Sequence, residues 1–261
     1  MSKNVWLREH RPLSVAHRGH SIEFPENTLE AYRRAIALGG EMIECDVNLT
    51  HDGRLVMIHD ATLDRTTNGS GRVSSVTWDE IQRLDAGAKF KPEFAGARIP
   101  STEETLLFYR EAGILSCFEV KGADVEEAKR IAAALVDLFQ KHDMLDTAFM
   151  SSYKHEALLL AKSKYPELLL APERLPDDAP PDPPEAVRQA KSFPAPVLQH
   201  QYTVLSADVV RALHENEVAV WSWSTTDEAS LVFSVEVGAD AVMGDDIRLM
   251  LEVLNRMRPV Q

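Results

Sequence analysis

The chain has 261 residues, 44% of them hydrophobic and 26% charged, which is apolar material sufficient for a large core. A formal net charge of −13 at pH 7 argues against a nucleic-acid binder, which carries a basic stripe. The same charge repels an anionic substrate at long range, so any phosphate site must bring its own local positive charge. No run of ~18 apolar residues occurs, and the opening MSKNVWLREHRP has no apolar h-region. These features predict no membrane insertion, no secretion and a cytoplasmic location.

In chain order, the first strand-like run is Leu13–Ala16, followed by a helix-period segment over Thr28–Leu38. Met42–Val47 and Leu55–His59 come next, then Leu115–Val120, a helix over Asp124–Lys141 and the run Thr147–Ser151. A helix over Lys154–Lys164, the runs Leu168–Ala171 and Pro196–His200, and a helix over Ser206–Asn216 follow. Val218–Trp223, a helix over Asp227–Val237 and Ala239–Met243 complete the series. Alternation of this kind implies a parallel sheet.

Nine strands are one too many for an eightfold barrel. The second and third are joined only by Thr50–Arg54, which can close a hairpin but not a parallel crossover. The run 55–59 is therefore expected to fold back antiparallel as an arm. Eight parallel strands remain, predicting an α/β fold: a TIM-type (β/α)8 barrel, whose usual size is about 250 residues, as a single domain over 1–261. The segment from about 60 to 100 breaks the rhythm and reads as an insertion after the hairpin arm, with one short helix at Trp78–Leu84. The proline-rich stretch 172–184 reads as a loop within the barrel. Cys45 and Cys117 fall in apolar runs and are expected to be buried, reduced thiols.

Glu44 and Asp46 stand two apart on a strand, so both face one side, while Ile43, Cys45 and Val47 face the helices. Glu119 ends another strand. Each sits in an otherwise apolar run, where an unpaired charge is costly, so scattered surface carboxylates are the weaker reading. Three carboxylates about 4–5 Å apart repel pairwise by about 3–4 kcal/mol at an effective dielectric of ~20. They either take up protons or hold a cation, and all-oxygen ligation suits one hard divalent ion, Mg²⁺ or Ca²⁺. A paired-carboxylate glycosidase would need no metal, and two nearby histidines make it less attractive.

His17 follows the first strand. His59 ends the arm, and a turn near Asp52-Gly53 brings it roughly opposite Glu44 and Asp46. Two such histidines can serve as acid and base near neutral pH. Arg18 can bind a phosphate oxygen pair as a fork, whereas Lys121 can do so as a point charge or simply pair with Glu119. Thr28 or Asn27 is expected to cap the following helix. His10, His20, His51, His142, His155 and His214 lie in terminal, loop or polar helical contexts, where solvation is the default. His200 ends a strand that could reach the site.

The ordered set HRG (17–19), PENT (25–28), ECDV (44–47), HD (59–60), TLDRTTNGSGRV (62–73) and FEVK (118–121) resembles the glycerophosphodiester phosphodiesterases. MSSY (150–153), VAVWSWS (218–224) and ADAVMGDD (239–246) extend the resemblance more weakly over most of the chain. It implies Glu44, Asp46 and Glu119 as ligands of a divalent metal and His17 and His59 as the acid/base pair. Arg18 and Lys121 are implied as phosphate contacts and 60–100 as the family's insertion. The implied reaction releases glycerol 3-phosphate from a small-molecule glycerophosphodiester, through attack by the substrate's own C2 hydroxyl and a cyclic phosphate. Tyr153, Ser224 and Gly244-Asp245-Asp246-Ile247 depart from the family's usual residues, at positions expected to lie outside the catalytic set. A phospholipase-like relative acting on lysophospholipids or phosphoinositides, needing an apolar rim, and a non-catalytic phosphopolyol binder are the alternatives. Mg²⁺ against Ca²⁺, the head-group alcohol and the oligomeric state are open at this level.

Overall fold

The computed structural model describes residues 4–8, 11–173 and 182–257. Its strands are β1 (Leu13–His17), β2 (Met42–Leu49), β3 (Leu55–Met57), β4 (Leu115–Val120) and β5 (Ala148–Ser151). They continue with β6 (Leu169–Leu170), β7 (Val197–Gln201), β8 (Ala219–Thr225) and β9 (Ala241–Gly244). Eight run parallel in the order β6-β5-β4-β2-β1-β9-β8-β7. A parallel bridge between Glu173 and Gln199, with Gln199 N–H donating to the Pro172 carbonyl, brings the two ends together as a nearly closed barrel. The arm β3 pairs antiparallel with β2, Val47 opposite Met57 and Leu49 opposite Leu55, as the short Thr50–Arg54 link requires.

The helices are α1 (Leu29–Leu38), α2 (Trp78–Ile81), α3 (Thr102–Ala112), α4 (Val125–Lys141) and α5 (His155–Lys164). They are followed by α6 (Pro183–Ser192), α7 (Ala207–His214), α8 (Glu228–Glu236) and α9 (Ile247–Arg256). Short oxygen-bearing side chains open most of them: Thr28, Ser101, Asp124, Asp182, Ser206, Asp227 and Asp246 each accept a first-turn backbone N–H. The expected loop at 172–184 is corrected at its end, because Pro183 and Pro184 begin α6. Proline tolerates the first helical turn, whose N–H groups have no intrahelical partner. Residues 174–181 of that loop, and His10, lie outside the described residues.

Alternation along the strands separates two cores. Leu13, Val15, Met42, Cys117, Phe149, Trp221 and Met243 fill the barrel interior. Ala16, Ile43, Cys45, Val47 and Phe118 face outward and pack under α1, α3 and α4. Both cysteines are buried and free. The 60–100 segment has a small core of its own: Leu63, Val73, Ile81, Ala86 and Ile99 close on Val56 and Ile58 of the arm. Its expected helix is one turn, Trp78–Ile81, with 3-10 turns at Val73–Ser75 and Pro92–Phe94. Among the described residues no helix is long and apolar enough to cross a membrane.

Candidate active site

Register brings the carboxylates together. In the parallel ladders His17 lies opposite Glu44, and Asp46 opposite Glu119, so the C-terminal ends of β1 and β4 meet the middle of β2, which runs on past them to Leu49. One oxygen each from Glu44, Asp46 and Glu119 lies within 4.8 Å of the others, and all three residues are buried. Neither Glu44 oxygen has a hydrogen-bond partner. Burial, then the charges of Asp46 and Glu119, push the Glu44 carboxyl well above its ordinary range. Burial also works against ionisation of Asp46, but Lys121 and Arg18 outweigh it and hold that carboxyl well below. A buried carboxylate with both oxygens unsatisfied, beside two more, is the donor set a hard oxygen-seeking cation fits.

Two cations compensate the cluster in part. Arg18 Nε lies 3.0 Å from Asp46 Oδ2, and Lys121 Nζ lies 3.0 Å from Asp46 Oδ1 and 2.5 Å from Glu119 Oε1. Lys121 thus pairs with Glu119 and still lines the pocket; Arg18 lines it too. The loop that presents His17 and Arg18 is tightly folded. Arg18 has a left-handed φ of 58°, its N–H donates to the Glu44 carbonyl, and its own carbonyl accepts from Asn27, also left-handed at 57°. Gly19 follows at φ 89° with α1 so close that a Cβ there would sit 2.7 Å from Ala31, so only glycine fits.

Each site histidine is held by a carboxylate. His17 Nδ1 donates to Asp245 Oδ1 and His59 Nδ1 to Asp60 Oδ1, both at 2.7 Å. The acceptors are ionised. Burial opposes the ionisation of Asp245, but His17 outweighs it, while Arg65 first and then His59 hold Asp60 down at about 2. An ionised carboxylate only accepts, so Nδ1 carries a proton whether the ring is neutral or charged, and Nε2 is the atom left to take up or give one. His17 Nε2 lies 3.9 Å from Glu44 Oε2 and so faces the cluster.

All seven residues singled out from the sequence are thus brought together: His17, Arg18, Glu44, His59, Glu119 and Lys121 line one pocket, and Asp46 lies beneath. Trp223 reaches it, and His200 does not. Gln199 is the pocket residue of β7, and His200 shares the outward face with Leu198. Solvation is also corrected for His20, fully buried with its Nδ1 accepting from Ile247 N–H, and for three others. His142, His155 and His214 bond Glu103, the Glu173 carbonyl and Asp240 respectively.

Asn27 is missed by the sequence. Thr28 is the cap, while Asn27 is buried with Nδ2 donating to Asp46 Oδ2 at 2.7 Å and Oδ1 accepting from Asp46 N–H and Tyr32 Oη–H. Tyr153, Glu173, Gln199 and Ser224 also line the pocket, so two of the departures, Tyr153 and Ser224, border the candidate set, while Asp245 of the Gly244–Ile247 string contacts His17 directly. Burial and Glu119 push the Glu173 carboxyl well up. Only the Asp of the GDD string offered a signal for His17's partner, because nothing local links residues 228 apart.

Residues 17–249 match the family described as "Glycerophosphoryl diester phosphodiesterase family". A glycerophosphodiester phosphodiesterase of Caldanaerobacter subterraneus subsp. tengcongensis is 33% identical over 249 residues, 94% of this chain and 99% of that protein. The fold superimposes with a TM-score of 0.85 on an Oleispira antarctica phosphodiesterase in complex with the product sn-glycerol-3-phosphate, at 27% identity over 94% of this chain and 97% of that one. A Silicibacter pomeroyi structure shares the fold at a TM-score of 0.84 and 22% identity, covering 96% of this chain and 95% of that one. With motifs, barrel and coverage in agreement, the chain belongs to the glycerophosphoryl diester phosphodiesterase family.

Proposed function

We propose that the chain hydrolyses glycerophosphodiesters to glycerol 3-phosphate and an alcohol, with one divalent cation at Glu44, Asp46 and Glu119 and proton transfer by His17 and His59. The observation that carries this reading is the buried carboxylate cluster, with neither Glu44 oxygen hydrogen-bonded, flanked by two histidines whose Nδ1 atoms are taken by carboxylates. A cation bound there would offset negative charge on the phosphoryl group. Arg18 and Lys121 bind and orient phosphate oxygens, supplying the local positive charge that a chain of net charge −13 otherwise lacks. One histidine Nε2 takes the proton of the attacking hydroxyl, the substrate's own C2 hydroxyl, and the other gives a proton to the departing alkoxide. The roles then exchange as water opens the cyclic phosphate. An intramolecular attacker benefits from high effective molarity.

The decisive experiment measures release of the head-group alcohol from a panel of glycerophosphodiesters, a lysophospholipid and a 2-deoxyglycerol analogue, each with and without EDTA. Turnover of the small diesters that EDTA abolishes, with the 2-deoxy compound nearly inert, is the expected pattern. Full activity in EDTA removes the metal, and normal hydrolysis of the 2-deoxy compound removes the cyclic route.

Asn27 supplies a further test. Its amide fixes Asp46 from behind, and such outer contacts are typically worth ~10–100-fold in metal affinity. Asn27→Ala should weaken Ca²⁺ or Mg²⁺ binding by about that factor in a calorimetric titration. Unchanged affinity would show that Asp46 needs no such support.

A further inference from the structure

Arg65 does not line the pocket, is about half-exposed, and yet uses both edges of its guanidinium on carboxylates that serve the site. On one edge Nε donates to Asp60 Oδ2 at 2.8 Å and Nη2 to Asp60 Oδ1 at 3.0 Å. On the other, Nη1 donates to Glu26 Oε2 at 2.6 Å and Nη2 to Glu26 Oε1 at 2.9 Å. Asp60 Oδ1 is the oxygen that holds His59 Nδ1, and Glu26 Oε1 is the oxygen that accepts from Arg18 Nη1 at 3.0 Å. One side chain therefore spans the holder of the proposed acid/base histidine and the holder of the proposed phosphate-binding arginine.

The backbone carrying it is fixed by the insertion. Leu63 and Thr67 on either side are buried, Thr67 Oγ1 donates to the Leu63 carbonyl, and Asp64 Oδ2 accepts from Gly71 N–H. A lone exposed ion pair contributes little to stability, whereas a bidentate network contributes more, so a positioning role has to be read apart from any change in stability. A planar fork meeting two carboxylates does fix where each carboxylate, and hence each partner, points.

We infer that Arg65 is a positioning residue, and that the insertion serves the reaction by setting His59 and Arg18 in mutual register through Asp60 and Glu26. The inference rests on the reading of His59 and Arg18 given above. A lysine cannot replace the fork: one ammonium can bridge two carboxylates, as Lys121 does, but as a point charge it leaves the orientation of each one unfixed.

The test compares wild type with Arg65→Lys, Arg65→Ala and, as a control on a remote exposed pair, Arg256→Ala. Misplacement of reacting groups by about 1 Å can cost 10²-fold, so both position-65 variants should lose up to about that factor in kcat. The fall should exceed any rise in KM, be measured at a temperature where all variants are folded, and be absent from the control. A second readout needs no turnover: the ¹⁵N signals of the His59 ring, sharp in wild type, should broaden or double in both variants. Wild-type kcat and an unchanged His59 spectrum in Arg65→Lys would overturn the inference, as would full rescue by lysine of a defect seen in Arg65→Ala. Failure of the wild type to cleave any diester overturns the functional reading instead, and the His59 spectra still decide the positioning role.

Discussion

His59→Ala is expected to lower kcat by about 10²–10⁴-fold, the usual worth of a general acid or base, with little change in KM. The histidine closes the arm β3, its Nδ1 is occupied by Asp60, and the side chain is 34% exposed, so its removal opens no core cavity. The melting temperature should therefore stay within a few degrees of wild type. His17→Ala should behave alike, since Asp245 holds it in the same tautomer. The double variant should cost far less than the product of the two single effects, because acid and base act on one proton relay. A His59→Ala enzyme with wild-type kcat would leave the arm without a chemical role.

Glu44→Gln should abolish EDTA-sensitive turnover and at the same time stabilise the metal-free protein. Burial and two neighbouring carboxylates raise the folded-state pKa of Glu44 well above its unfolded value of 4.5. Above pH 4.5, and up to the raised value, the native state holds a proton that the unfolded chain has released. Native proton excess makes stability fall as pH rises, by up to about 1.4 kcal/mol per pH unit for one proton. Below 4.5 both states are protonated and the penalty is absent. Glutamine keeps the shape and removes the titration, so in chelator its melting temperature should exceed wild type by a margin that grows with pH through this window. Each ~1 kcal/mol is worth about 2–4 °C in a chain of this size. With saturating Ca²⁺ or Mg²⁺ the order should reverse, because only the wild type gains ligand-linked stability. Equal melting curves in chelator at pH 5 and pH 8 for both proteins would mean that Glu44 carries no such strain.

Legibility in the sequence tracked how local the determining interaction is. The carboxylate triad could be read because side chains alternate along a strand, so Glu44 and Asp46 had to share a face with Glu119 one strand away. The arm could be read because five residues cannot cross a barrel. Thr28 announced its cap by residue type. Asn27 did not announce its amide's grip on Asp46, because a left-handed turn aims that side chain at β2 and the Tyr32 hydroxyl and not at the first-turn N–H groups that a cap would take. Tyr153, Glu173 and Ser224 reach the pocket from separate strand ends, and only closure of the sheet makes them neighbours. The insertion looked irregular because its order lies in single turns pinned by Asp52, Asp64 and Asp85, which leave no periodicity to detect.

The pairing of β1 with β9, Val15 opposite Met243 and Ala16 opposite Gly244, sets the order in which a growing chain acquires its parts. By residue 121 the ribosome has added both site histidines, the three carboxylates, Arg18 and Lys121. His17 nevertheless lacks the carboxylate that fixes its proton until Asp245 follows the last strand. A nascent chain that already carries the cluster therefore still lacks the group that orients its first site histidine, which comes only with the last strand of the barrel.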